Sequence, residues 1–172
     1  MRGRGCSRLR FIFIQGEILN ESSVYTFEKS VLISAPIDKL FAFHADTNNL
    51  PLISPKNIKT KILQISEIPL QKGSTIKLEI KKGIVKLNWD IVIKDFDPSF
   101  IISDLQTKGL FKYWLHKHIF SVEGDYVKMT DRVEFIPPFG FLGRLAAPLI
   151  FMQLKAMFKY RHEKTKLLFI RS

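Results

Sequence analysis

Cysteine is almost missing from this chain. Cys6 stands alone, so no intramolecular disulfide can form and a reducing, cytoplasmic setting is expected. Long hydrophobic runs are missing too. Nothing approaches the roughly 18–20 apolar residues of a spanning helix. The basic start, MRGRGCSRLR, leads into only four apolar residues, Phe11–Ile14, with no small-residue cleavage site after them. That reads as neither a secretion signal nor an anchor. Residues 1–23 are expected to be a flexible basic extension, or the product of a start placed too far upstream.

Acidic residues are scarce, 16 against 27 Lys and Arg, for a net charge of +11. Four arginines and two glutamates fall within residues 1–23, so most of the excess lies in the body. An excess of this size suits anionic partners or simply a soluble basic surface. There is no Gly-rich phosphate loop, no nucleophile elbow and no pair of catalytic carboxylates. Nicotinamide and nucleotide chemistry are therefore not expected, and no cofactor is. The aromatic platforms of single-strand readers are also lacking, so sequence-specific nucleic-acid binding is not expected.

What the chain does have is phenylalanine, 15 of 172 residues, in an otherwise ordinary composition. So many rings suit a packed core and equally the wall of an apolar cavity. The length suits one domain, placed at residues 24–172. Tyr25, Phe27, Val31 and Ile33 alternate with polar residues, the period-two mark of a half-buried strand. Pro36 then opens a helix carrying Ile37, Leu40, Phe41 and His44 at helical spacing, which Asn48-Asn49-Leu50-Pro51 ends. From Ile58 to Pro137 strands follow one another, broken by turn signals at Gly73, Lys82-Gly83, Asp97-Pro98 and Gly124. Phe141–Leu168 reads as one long helix that Pro148 should kink or interrupt. Its expected inward stripe is Leu142, Leu145, Ala146, Leu149, Met152 and Ala156, although Phe151, Leu154 and Phe158 make other sides apolar too. The expected fold is α+β: a helix-grip arrangement of about seven curved antiparallel strands around a long C-terminal helix, with two short helices after the first strand.

Several runs give this layout a family likeness. Asp104–Phe120 (DLQTKGLFKYWLHKHIF), Asp131–Pro137 (DRVEFIP) and Phe139–Gly143 (FGFLG) follow one another in order. Ala35-Pro36, Phe41-Ala-Phe43 and Asn49-Leu50-Pro51 precede them. In order and spacing, over about residues 25–169, the chain resembles the SRPBCC superfamily. That superfamily includes START-related, birch-pollen-allergen-like and polyketide cyclase/dehydrase proteins. The resemblance implies a cavity between sheet and helix for an apolar or amphipathic molecule. It does not imply a single activity.

The residues themselves point to a polar corner in that cavity. In the strand after Gly124, Val127, Met129, Val133 and Phe135 share a face with Asp131, so a carboxylate is expected on the dry side. Trp114, His116, His118 and Phe120 share the facing side of the preceding strand. A Glu123-Gly124 turn sets His116 opposite Asp131, and one more residue on each side sets His118 there. A carboxylate on an apolar face needs a partner, and imidazole is the obvious one. The candidate group is His116, His118 and Asp131, joined by Gln106 or Asp104. It would fix strand register, orient a ligand's hydroxyl or carbonyl, or move protons in a cyclisation or dehydration. No metal is expected there. His44 and His162 are expected to be partly exposed or capping.

The candidate ligand wall is Trp89, Ile91, Gln106, Trp114, His116, His118, Phe120, Met129, Asp131, Val133 and Phe135 from the sheet, with Leu145, Leu149 and Met152 from the helix. The expected function is binding or carriage of a lipid, quinone or polycyclic. The alternatives are a cyclase/dehydrase-type enzyme using the His–Asp group, and a basic protein contacting an anionic membrane or the ribosome.

Overall fold

A computed structural model of the chain describes residues 11–14, 17–20 and 24–170. The expectation of a flexible extension over residues 1–23 falls mostly outside these. Within that stretch Phe11–Ile14 (β1) and Glu17–Asn20 (β2) pair antiparallel in a two-stranded sheet of their own.

Tyr25–Ile33 (β3) opens the main sheet, and its burial alternates along its length. Ile37–Ala45 (α1) follows, with Pro36 at its N-cap and Asp38 in its first turn, where a negative charge complements the helix dipole. A 3-10 turn over Thr47–Asn49 leads into the single turn Leu50–Ile53 (α2). Six strands then run as a meander: Ile58–Ile65 (β4), Thr75–Lys82 (β5), Val85–Asp97 (β6), Ile101–Lys108 (β7), Tyr113–Glu123 (β8) and Tyr126–Ile136 (β9). The seven-stranded sheet has the order β3-β9-β8-β7-β6-β5-β4, antiparallel throughout, so the first strand closes onto the last.

Two tight turns set the register. Lys82 pairs with Val85 and Glu123 with Tyr126, leaving two-residue loops that begin at Gly83 and Gly124. Both glycines have φ of 60°, the backbone that a right-twisted hairpin asks of its first loop residue. The β8–β9 loop is thus Gly124-Asp125. This choice sets His118 opposite Asp131 and His116 opposite Val133.

Beyond the sheet, the expected single helix is two: Gly140–Leu145 (α3) and Ala147–Ile170 (α4). Pro148 explains the break. It lacks the N–H that a continuous helix would use there, so it occupies the first turn of a new one. The face of α4 is a correction. Leu145, Leu149 and Met152 are 65%, 51% and 62% exposed, and the buried stripe is Ala147, Leu154, Phe158, His162 and Thr165. Because the first half of the helix is apolar on several sides, its pattern did not choose between them. The aromatic side won, because Phe151 and Phe158 pack on Tyr25, Phe27 and Phe135.

Candidate functional site

Strand alternation places Val127, Met129, Asp131, Val133 and Phe135 inside, as their period requires. Asp131 is 2% exposed, and three imidazoles surround it. His116 donates from Nε2 to Oδ1 at 2.8 Å, and His162 donates from Nε2 to Oδ2 at 2.6 Å. His118 Nδ1 lies 2.7 Å from Oδ1 but off the line a hydrogen bond needs, and is left without a hydrogen-bond partner. On its other side His116 Nδ1 reaches Asp104 Oδ2 at 3.3 Å.

The charges follow from this geometry. Burial alone would lower the His116 pKa, but the carboxylates of Asp104 and Asp131 outweigh it and raise the value to about 9. Burial and the neighbouring His116 charge lower that of His118. Two rings with centroids 4.2 Å apart do not readily share two positive charges, and His116 takes the proton. Burial works against an ionised Asp131, yet the charge and hydrogen bonds of the surrounding histidines hold it well below the usual carboxylate range. His44 donates from Nδ1 to the Leu40 carbonyl at 3.0 Å. Its Nε2 is enclosed with no hydrogen-bond partner, and burial, with His118 nearby, lowers its pKa to about 3.

Beside this group lies a cavity of about 640 Å³. Its wall is mostly aliphatic from β5 and β6 (Ile76, Leu78, Ile91, Ile93) and aromatic at Trp89, Phe111 and Trp114. Those three rings pack edge-on or tilted at 4.7–6.0 Å and form wall without filling the space. His44, Asp104, His116, His118 and Arg161 make its polar corner. From the helix side Ile150, Leu154, Met157 and Phe158 line it. Phe139 and Leu142 also line it yet are largely exposed, which marks a mouth, and Phe139 has φ of 61° at the turn into α3.

The expected wall therefore divides. Trp89, Ile91, Trp114, His116 and His118 face the cavity. Phe120, Met129, Val133 and Phe135 are correctly inside, but as a correction they stand outside the lining. Phe120 and Met129 belong to the core that includes Phe41 of α1, and Val133 and Phe135 to the core that includes Leu154 and Phe158 of α4. Asp131 likewise stands behind the histidines. Gln106 does not join the corner. Its side chain closes the β7–β8 connection, donating to the Phe111 carbonyl at 2.7 Å. Asp104 joins instead. Leu145, Leu149 and Met152 point outward.

His162 corrects the expectation of a partly exposed or capping side chain, being 3% exposed and bonded to Asp131. The signal for it was in the sequence, since His162 continues the stripe Leu154, Phe158 by one turn. Arg161, beside it, was missed because it stands among the other basic residues of the last turns. Asp104, His116 and His118 also place one ligand atom each within 4.8 Å of one another. A nitrogen-rich set of this kind suits a transition ion. Binding one would require His116 to give up the proton that two carboxylates stabilise.

A curved sheet, a covering helix and an apolar cavity with one polar corner define a helix-grip ligand-binding protein. Residues 33–158 match the family described as polyketide cyclase / dehydrase and lipid transport. The chain belongs to this family, within the SRPBCC superfamily. None of the curated proteins matches it. Solved structures share the fold at low identity. The Zhui aromatase/cyclase of a Streptomyces species superposes with a TM-score of 0.68 at 14% identity, covering 86% of this chain and 94% of that one. A protein of Chromobacterium violaceum gives 0.67 at 13%, covering 84% and 96%. A major latex-like protein of Panax ginseng gives 0.63 at 11%, covering 86% and 98%. Among the described residues no helix is long and apolar enough to cross a membrane.

Proposed function

We propose that the chain binds and carries a hydrophobic or amphipathic small molecule, such as a lipid, isoprenoid quinone or polycyclic, in the cavity between sheet and α4. The observation that carries this reading is the cavity itself, whose size is that of a small-molecule site and whose wall is chiefly apolar with a few converging polar groups. Phe141, Leu145, Leu149 and Met152 are exposed on α3 and the first turns of α4, next in the chain to the mouth residues Phe139 and Leu142. With the basic charge of the chain they support loading at an anionic membrane. Organic extraction of purified protein followed by mass spectrometry tests the reading. A stoichiometric apolar compound is expected. Repeated recovery of nothing, with no displaceable fluorescent lipid, would sink it.

A second reading, a cyclase/dehydrase-type enzyme, draws on the polar corner. His118 lines the cavity as a neutral ring with Asp131 behind Nδ1, leaving Nε2 as its candidate proton acceptor. Incubation with a poly-β-ketone thioester analogue tests it. Loss of water with ring closure, abolished in His118→Gln, supports it. An unchanged substrate, or product formed equally by the variant, counts against it.

A further inference from the structure

Arg161 is the interior cation that the site does not use. It lines the cavity from α4, yet among the described residues its guanidinium has neither a hydrogen-bond partner nor a carboxylate within 4.0 Å. Its Nε is fully enclosed. The Phe158 ring lies 5.6 Å away and steadies the charge without accepting any of its five N–H donors. Nor are the nearby carboxylates free to satisfy it. Asp131 is committed to His116 and His162, and Asp104 to His116. They offset the charge at a distance, which leaves the enclosed Nε–H unmet and the rest of the half-buried guanidinium without a protein acceptor.

A guanidinium that lines an apolar cavity with no hydrogen-bonded carboxylate is poorly compensated, and its natural complement is an anion brought from outside. We propose that Arg161 anchors a carboxylate, so that the preferred ligands are amphipathic monocarboxylic acids whose apolar body fills the cavity. This rests on the ligand-binding reading above and narrows it to a chemical class. One guanidinium matches one carboxylate, two parallel N–H···O bonds to a single negative charge. A phosphate monoester is a poorer match. Its second charge would face Asp104, which shares the polar corner, and the charged ring there, His116, is already held between Asp104 and Asp131.

The test uses the full-length protein, stripped of bound lipid, and two fluorescent probes of one skeleton, pyrenebutyric acid and pyrenebutanol. The acid is expected to bind about tenfold tighter or more, the range of a charge-assisted hydrogen bond. Arg161→Gln should bring the acid down to the affinity of the alcohol and leave the alcohol unchanged. Arg161→Lys should keep part of the preference. Unaltered alcohol binding also certifies that each variant is folded, and the wild-type comparison stands without any variant. Equal affinity for the two probes in the wild type, or a preference for the acid that survives Arg161→Gln, overturns the anchor while leaving the cavity reading in place. Failure of both probes to bind takes down the cavity reading and the anchor with it.

Discussion

The two halves of the sheet follow the same inside–outside alternation and meet different things. On β3 and β9 the inner residues are covered: Phe27 stacks on Phe158, and Val133 and Phe135 lie with Leu154 in one buried cluster. On β5 and β6, Ile76, Leu78, Ile91 and Ile93 are just as apolar and nearly as buried, but part of their surface borders the cavity. The seam between them, β8, carries His116 and His118, and the helix brings His162 and Arg161 over it. The chemistry therefore sits where packed core gives way to cavity. An inward residue is core or wall according to whether a helix lies over it.

The sharpest way to break this comparison is to cut a residue on each side. Phe135→Ala, in the covered half, should cost about 4 kcal/mol, the range for a buried ring truncated in a tight core. Leu78→Ala, on the wall, should cost less than half of that, because atoms already border a cavity there, and should alter ligand affinity more than stability. Urea denaturation of both decides. Equal costs would mean that the wall is as tightly packed as the core.

Next in size is the seam. Asp131→Asn leaves three rings around a weaker acceptor and should cost about 3 kcal/mol, as breaking a buried charge pair does. Its specific mark is the His116 titration in NMR, which should fall from about 9 as one of the two carboxylates that raise it is lost. A His116 pKa unchanged by the substitution would show that Asp104 alone holds the proton.

The pH dependence of stability should also report the seam. The His116 pKa is raised on folding, so its contribution is fully present below pH 6.5 and fades as the pH climbs towards 9. The His44 pKa is lowered to about 3, so its contribution is present above pH 6.5 and is lost as the pH falls from there. Asp131 adds to the acid loss below about 3.8. Thermal melts should peak near pH 6.5, with an alkaline limb that Asp131→Asn flattens. A melting temperature that rises steadily from pH 6.5 to 9 would contradict the assignment.

The smallest effect is expected outside both halves. Leu149→Ser, on the exposed stripe, should leave stability within about 0.5 kcal/mol. Co-sedimentation with vesicles containing phosphatidylserine should weaken. A large loss of stability would mean that this face is covered in solution.

Much of this could be read from the residues alone, and the reason is local. Alternation along β9 follows from strand geometry, so Asp131 had to share the inner face with Val133 and Phe135. The turn at Gly124 then brought His116 and His118 to the same side in either register. One step of that turn, Gly124-Asp125 over Glu123-Gly124, was left to the fold. It chose His118 as the residue directly opposite.

The sequence by itself determined the strands, the hairpins and the inward carboxylate, because each depends on neighbours a few residues apart. Only the tertiary structure decided which side of α4 turns inward. That helix is apolar on more than one side in its first half, and the choice rests on long-range contacts with Tyr25, Phe27 and Phe135. With that face came His162 onto Asp131, Arg161 into the cavity, and the division of the inner sheet into core and open wall.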